Sequence, residues 1–140
     1  LSLNNVFNSK IANIRALLAS IEPYEKERTE KIRQSLLDKL SQLPVEYDRN
    51  RFEQELIYYI EKLDVNEEKH RLANHLDYFM ETMEANEENG AGKKLGFIAQ
   101  EMGREINTLG SKSNHAEMQR IVVKMKDELE QIKEQVLNVM

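Results

Sequence analysis

The chain has no cysteine among its 140 residues. Disulfides, zinc–thiolate centres and thiol nucleophiles are thereby excluded. It has only two prolines and five glycines, too few to punctuate a series of short strands and tight turns. No stretch approaches the ~20 apolar residues of a membrane span. The opening Leu1-Ser2-Leu3-Asn4-Asn5 lacks a basic segment and an apolar one, so it does not read as a signal peptide. The missing initiator Met points to a fragment or a processed chain. There is no P-loop, GxGxxG turn, HExxH helix, nucleophile elbow or EF-hand loop. Aromatic residues make up 6% of the chain and form no RNP-type platform, so sequence-specific base stacking is not indicated.

What is present fits one soluble helical domain long enough to bury a core. Hydrophobic residues are 40% and charged residues 32%, a balance of folded rather than disordered chains. The net charge of −5 argues against bulk attraction to nucleic acid. Its distribution is uneven. Ala91 to Lys124 holds six basic and three acidic residues, a balance of +3 that leaves −8 for the rest. Ordinary scatter over solvated helix faces accounts for this equally well.

Apolar periodicity predicts an elongated all-α bundle of about five to six helices, with no strand. Val6, Phe7, Ile11, Ile14, Leu17, Leu18 and Ile21 give a first stripe. Pro23 opens a second helix carrying Ile32, Leu36, Leu37 and Leu40, which stops before Pro44. Asp48 is the expected N-cap of a third helix through about Leu63. Asp64-Val65-Asn66-Glu67 has capping-box spacing and starts a fourth, with Leu72, Leu76, Phe79 and Met83 on one face. After a loop over Asn86 to Gly92, a fifth helix is expected from Lys93 to Leu109, with Gly110 in a left-handed C-cap. Asn114-His115-Ala116-Glu117 resembles a second capping box. In the last helix Met118, Val122, Met125, Leu129, Ile132, Val136 and Val139 alternate spacings of 4 and 3. That heptad seam calls for a long partner helix, either the first helix of the same chain or a second subunit.

The densest polar cluster lies on the fifth helix. There Glu105 sits beside the apolar stripe of Leu95, Ile98, Met102, Ile106 and Leu109, with Glu101 and Thr108 a little further round. Gln100, Arg104 and Asn107 point away from the core. Two carboxylates at i, i+4 repel, so a cation belongs between them: a divalent metal, or Arg and Lys from elsewhere. A salt-bridged helix flank satisfies the same spacing. Ser111-Lys112-Ser113 before a helix start suits a phosphate or a plain capped turn. On the fourth helix Glu68, Arg71 and His75 share a stripe, and His75 at its edge is either an acid, base or metal ligand or a hydrogen-bonded packing residue. Glu67 and Glu117 read as caps. His70 and His115 have no evident partner.

Two blocks carry a resemblance. Residues 51–76 read RFEQELIYYIEKLDVNEEKHRLANHL, and residues 92–112 read GKKLGFIAQEMGREINTLGSK. Their order and separation, followed by an acidic last helix ending Glu134-Gln135-Val136-Leu137-Asn138, resemble the C-terminal domain of the YicC/YloC family of bacterial proteins, over essentially the whole chain. The resemblance implies a single helical domain at 1–140 that follows an N-terminal domain absent here. It further implies an endoribonuclease that needs a divalent metal, acts on RNA in the bacterial cytoplasm and assembles into hexamers. The matching positions are Glu67, Glu68, Arg71, Leu72 and His75 in the first block. In the second they are Gly92, Lys94, Leu95, Phe97, Gln100, Glu101, Met102, Arg104, Glu105, Asn107, Thr108, Ser111 and Lys112. Gly103 departs from the usual Asn, Gly96 from an acidic residue and Asn74 from Ser.

The expected site follows. Glu101 and Glu105, with Glu68 or His75, hold Mg²⁺ or Mn²⁺. Arg104 and Lys112 bind phosphate oxygens, and His75 joins the catalytic set. Lys93, Lys94, Gln100, Asn107, Thr108 and Ser111 contact RNA. The rival expectation is a non-catalytic helical oligomerisation and RNA-clamp module, with cleavage in the missing N-terminal domain.

Overall fold

The computed structural model describes residues 3–42, 48–85 and 91–139. Among these, every regular element is a helix: α1 (Leu3–Ala19), α2 (Glu22–Ser41), α3 (Arg49–Leu63), α4 (Asn66–Glu84), α5 (Ala91–Lys112) and α6 (Ala116–Val139). The all-α expectation holds. One continuous core joins α1, α4, α5 and α6, built on Phe7, Ile11, Leu72, Leu76, Phe79, Met102, Ile106, Met125 and Ile132. Phe7 meets Phe79 edge-on, with ring centroids 5.3 Å apart.

The heptad seam of α6 is intramolecular. Met118, Val122, Met125, Leu129, Ile132 and Val136 are all buried, and α6 packs against both α1 and α5. The Val139 side chain, Pro44 and residues 86–90 lie outside the described residues.

Gly96, Gly103 and Gly110 recur every seven residues on the face of α5 that meets α6. A Cβ added at each would meet, in turn, Val136 at 3.9 Å, Leu129 at 3.4 Å and Val122 at 3.1 Å. Those partners are also seven residues apart and run the opposite way, so the two helices are antiparallel. Gly110 is therefore not a left-handed cap. Helix α5 continues through it to Lys112, because the position serves close helix packing rather than chain reversal. Gly103 likewise faces α6.

Both capping boxes also resolve differently. Val65, not Asp64, is the N-cap of α4. Asp64 Oδ1 accepts from Asn66 N–H at 3.1 Å, and Glu67 pairs with Arg71 instead of reaching back. At α6 the imidazole of His115 replaces Asn114, its Nδ1 accepting from Glu117 N–H at 3.1 Å and Met118 N–H at 3.4 Å. The third cap is as expected: Asp48 accepts from Asn50 and Arg51 N–H.

Helix α2 contributes least apolar surface. Ile32, Leu36, Leu37 and Leu40 stay half-buried, and Arg28 is the helix's buried residue. Its guanidinium donates to Leu63 O at 2.9 Å and Lys112 O at 2.8 Å, satisfying the ends of α3 and α5 with a cation where the helix dipoles are negative. Arg28 lies seven residues after Ile21 and four before Ile32, in register with the stripe. Burial draws its pKa below the usual guanidinium value, against the carboxylates of Glu25 and Asp64.

The glycines give a signed prediction. Gly103→Ala places its Cβ at ordinary contact distance and removes mid-helix backbone entropy, so it should stabilise by roughly 0.5–1 kcal/mol. Gly110→Ala presses on the stiff side chain of Val122 and should lower the melting temperature. Thermal unfolding followed by circular dichroism checks both signs.

Candidate nuclease site

Beyond their apolar packing, α4 and α5 are joined among the described residues by two hydrogen-bonded pairs and a cation–π contact. Lys112 Nζ lies 2.8 Å from Glu68 Oε1, His75 Nδ1 lies 3.1 Å from Glu105 Oε2, and Lys94 Nζ sits 5.7 Å from the centroid of the Tyr78 ring. As the α5 number falls, the α4 number rises, so this seam is antiparallel too. Along it, Glu68, Arg71, Glu101, Arg104, Glu105 and Thr108 line a groove of about 180 Å³.

The helical phase explains who enters. Glu105, next to the apolar stripe, is driven inward to 5% exposure. Glu101 is half-buried and Arg104 exposed, and they pair at 3.4 Å. Thr108 donates its hydroxyl to Arg104 O at 3.0 Å. Gln100, Asn107, Lys93 and Ser111 remain exposed outside this lining.

Burial raises the pKa of Glu105 above the usual carboxylate value, and the charge of Glu101 adds to the rise. His75 and Arg71 oppose it. The hydrogen-bond partner of the Glu105 carboxylate is thus an imidazole, not a fixed cation. Glu68 is as buried, but it is answered by an ammonium. Its Oε1 takes Lys112, while its Oε2 is buried without a hydrogen-bond partner. Arg71 pairs with Glu67 across one helical turn, and that hydrogen bond raises its pKa further.

Of the two readings left open for Ser111-Lys112-Ser113, the structure shows the capped turn. Ser111 and Ser113 donate to Thr108 O and Leu109 O. Lys112 is held by Glu68 and Asp64 O, and the first N–H groups of α6 go to His115. With α5 running through Lys112, the turn left for an anion is too short.

The acidic edge lies where helical spacing puts it, but among the described residues no three His, Asp or Glu side chains gather closely enough to hold a metal ion together. His115 also has a partner that spacing hid: its Nε2 lies 3.3 Å from Glu27 Oε1. This contact is the main reason the Glu27 pKa is lowered. No periodicity rule finds it, since it joins α2 to the start of α6.

Two stability tests follow. Lys112→Met strands the Glu68 carboxylate and should cost roughly 1–3 kcal/mol in urea unfolding, with Glu68→Gln on that background recovering part. For Glu105 the folded pKa exceeds the unfolded one. Its contribution is therefore full below the unfolded value of about 4.3 and is lost as pH rises through the folded pKa. Glu105→Gln should match the wild type near pH 4 and equal or exceed its melting temperature near pH 7.

The chain has clear relatives. The sequence model of the family described as endoribonuclease YicC-like, C-terminal, matches residues 21–140. A probable endoribonuclease YicC of Clostridioides difficile (strain 630) is 50% identical over 48 residues, 34% of this chain and 16% of that protein. A probable endoribonuclease YicC of Haemophilus influenzae is 47% identical over 47 residues, again 34% of this chain and 16% of the relative. The matched stretches thus span about a sixth of these relatives' length. Matched over residues 21–140, the chain belongs to the YicC-like endoribonuclease C-terminal family.

Proposed function

We propose that this chain is the RNA-cleaving C-terminal domain of a longer bacterial, cytoplasmic endoribonuclease, with His75 and Glu105 as its acid–base centre. One observation carries the reading. Glu105, a carboxylate with raised pKa on a groove shared with Arg71 and Arg104, lies one hydrogen bond from the His75 imidazole, which stands outside that lining. A titratable group in a cleft whose pKa is shifted by burial together with a specific charge partner is a candidate for function.

The chemistry follows from the atoms. With Glu105 ionised, His75 Nδ1–H donates to it, which leaves Nε2 as the acceptor. That nitrogen takes the proton from the attacking oxygen at a phosphodiester and can return one to the leaving oxygen. Arg71 and Arg104 offer planar forks to the phosphate, exchanging their surface carboxylates for it. Lys93 and Lys94 add sequence-independent attraction. Gln100, Asn107, Thr108 and Ser111 position the strand. Lys112 acts through Glu68 as a positioning residue.

A divalent cation, Mg²⁺ or Mn²⁺, belongs to the same reading. Mg²⁺ commonly rests on one or two carboxylates, with water and phosphate oxygens completing its shell. Glu101 and Glu105 supply two that repel each other, while Glu68 lines the same groove but does not gather with them closely enough to complete a three-carboxylate site. Bound there, the ion would neutralise charge developing on the phosphate.

The second reading, a non-catalytic clamp that assembles and holds RNA, is favoured by two facts. Arg71, Arg104 and Lys112 all carry internal carboxylate partners. Ile57, Tyr58 and Tyr59 of α3 are exposed, a surface suited to a homo-oligomer.

Cleavage of labelled RNA separates the readings. His75→Ala and Glu105→Gln should each lose on the order of 10²–10⁴-fold in rate. Glu101→Gln with Glu105→Gln should abolish cleavage and calorimetric Mn²⁺ binding while the helical circular-dichroism signal persists. A wild-type chain that binds RNA without cutting it supports the clamp.

A further inference from the structure

Two exposed aromatic side chains stand at one end of the α4–α5 seam. Tyr78 is 42% exposed and Phe97 66%. Neither belongs to the core, and the cleavage chemistry uses neither. They sit on different helices, so no linear motif joins them. The seam brings them to the same end. Tyr78 lies one turn past His75 on α4. Phe97 lies about one turn before Glu101 on α5, on the same edge as Thr108 and Arg104. Tyr78 thus stands about 4–5 Å along the helix axis from His75, and Phe97 about 12 Å from Glu105, on the side of the pair where Lys94 meets Tyr78. Lys94 lies over the Tyr78 ring, adding a cation beside a π-face, and Lys93 is exposed next to it.

We infer that Tyr78 and Phe97 form a stacking clamp for unpaired bases flanking the bond held at the His75–Glu105 centre, so that the preferred substrate is single-stranded RNA. This inference rests on the RNA-cleaving reading of that centre. The chemistry favours this occupant over a protein. Lys93 and Lys94 supply phosphate-seeking charge at the aromatic end, beyond a groove in which Arg71 and Arg104 stand among Glu68, Glu101 and Glu105. A face that only buries apolar surface needs no cations in that order. In a duplex the bases are already stacked on one another, so a pair of rings on adjacent helices has no free π-face to engage. An unpaired strand offers one at every nucleotide.

The test is fluorescence anisotropy of a labelled oligo(A) single strand and of a blunt RNA duplex, at about 50 mM salt where phosphate contacts still operate. Tyr78→Ala and Phe97→Ala should each weaken single-strand binding roughly tenfold to a hundredfold. Phe97→Trp should preserve it, and duplex binding should not change. Both positions are exposed, so folding is not at stake.

Unchanged single-strand binding in both alanine variants overturns the inference, as does equal loss on the duplex. A shift to smaller species in sedimentation with RNA binding intact also overturns it and assigns the aromatics to contact with a second copy. A wild-type chain that binds neither RNA sinks the inference as well. The two readings fail separately. Loss of cleavage in His75→Ala with no effect of the aromatics on binding removes only the clamp. Aromatic-dependent binding with cleavage untouched by His75→Ala removes only the catalytic assignment.

Discussion

The structure turns on burying two carboxylates in one helix seam. Glu68 of α4 and Glu105 of α5 are each about 5% exposed, and an unpaired buried charge is costly enough to unsettle a fold of ordinary stability. Each is answered from the opposite helix, Glu68 by Lys112 and Glu105 by His75. The exchange is reciprocal, so a slip of one turn would strand both. The seam's register, and with it the groove, follows from this pairing. The two answers differ in kind. An ammonium is charged at neutral pH, whereas an imidazole is charged only when protonated. Lys112 therefore answers one oxygen of Glu68 with a fixed charge, while His75 only partly offsets the burial that raises the pKa of Glu105.

The opposite face of α5 explains why the site holds its shape. Gly96, Gly103 and Gly110 admit Val136, Leu129 and Val122 of α6 to close range, and α6 packs in turn against α1. Arg28 ties the end of α5 to the end of α3. The groove residues thus stand on two helices fixed along their length rather than on loops, which suits a constellation that must stay within a fraction of an ångström. Two of the three departures from the family pattern, Gly96 and Gly103, face α6, where a side chain would bear on helix spacing.

Much of this was legible in the chain. The stripes of Phe7 to Ile21 and of Met118 to Val136 predicted core helices, because a buried face of α-helix repeats every three to four residues whatever its partner. The edge of Glu101, Glu105 and Thr108 followed from the same geometry. Partners across space were not legible. Periodicity placed Lys112 beside a helix start and offered it to a phosphate, but only the fold brings Glu68 to it. Gly110 read as a cap, since a glycine after an apolar stripe has two meanings that local sequence does not separate, chain reversal and close packing. The recurrence of glycine every seven residues was the available signal. His115 was passed over because a histidine seldom caps a helix. Tyr78 and Phe97 belong to separate segments, so their placement along one seam appears only after folding.

The central claim is that His75 and Glu105 act as one unit. Single-turnover RNA cleavage by His75→Gln, Glu105→Gln and the double variant measures this directly. Groups that act together lose their effect together, so the three variants should show nearly the same loss. Losses that multiply in the double variant, or a single variant with undiminished rate, would contradict the account.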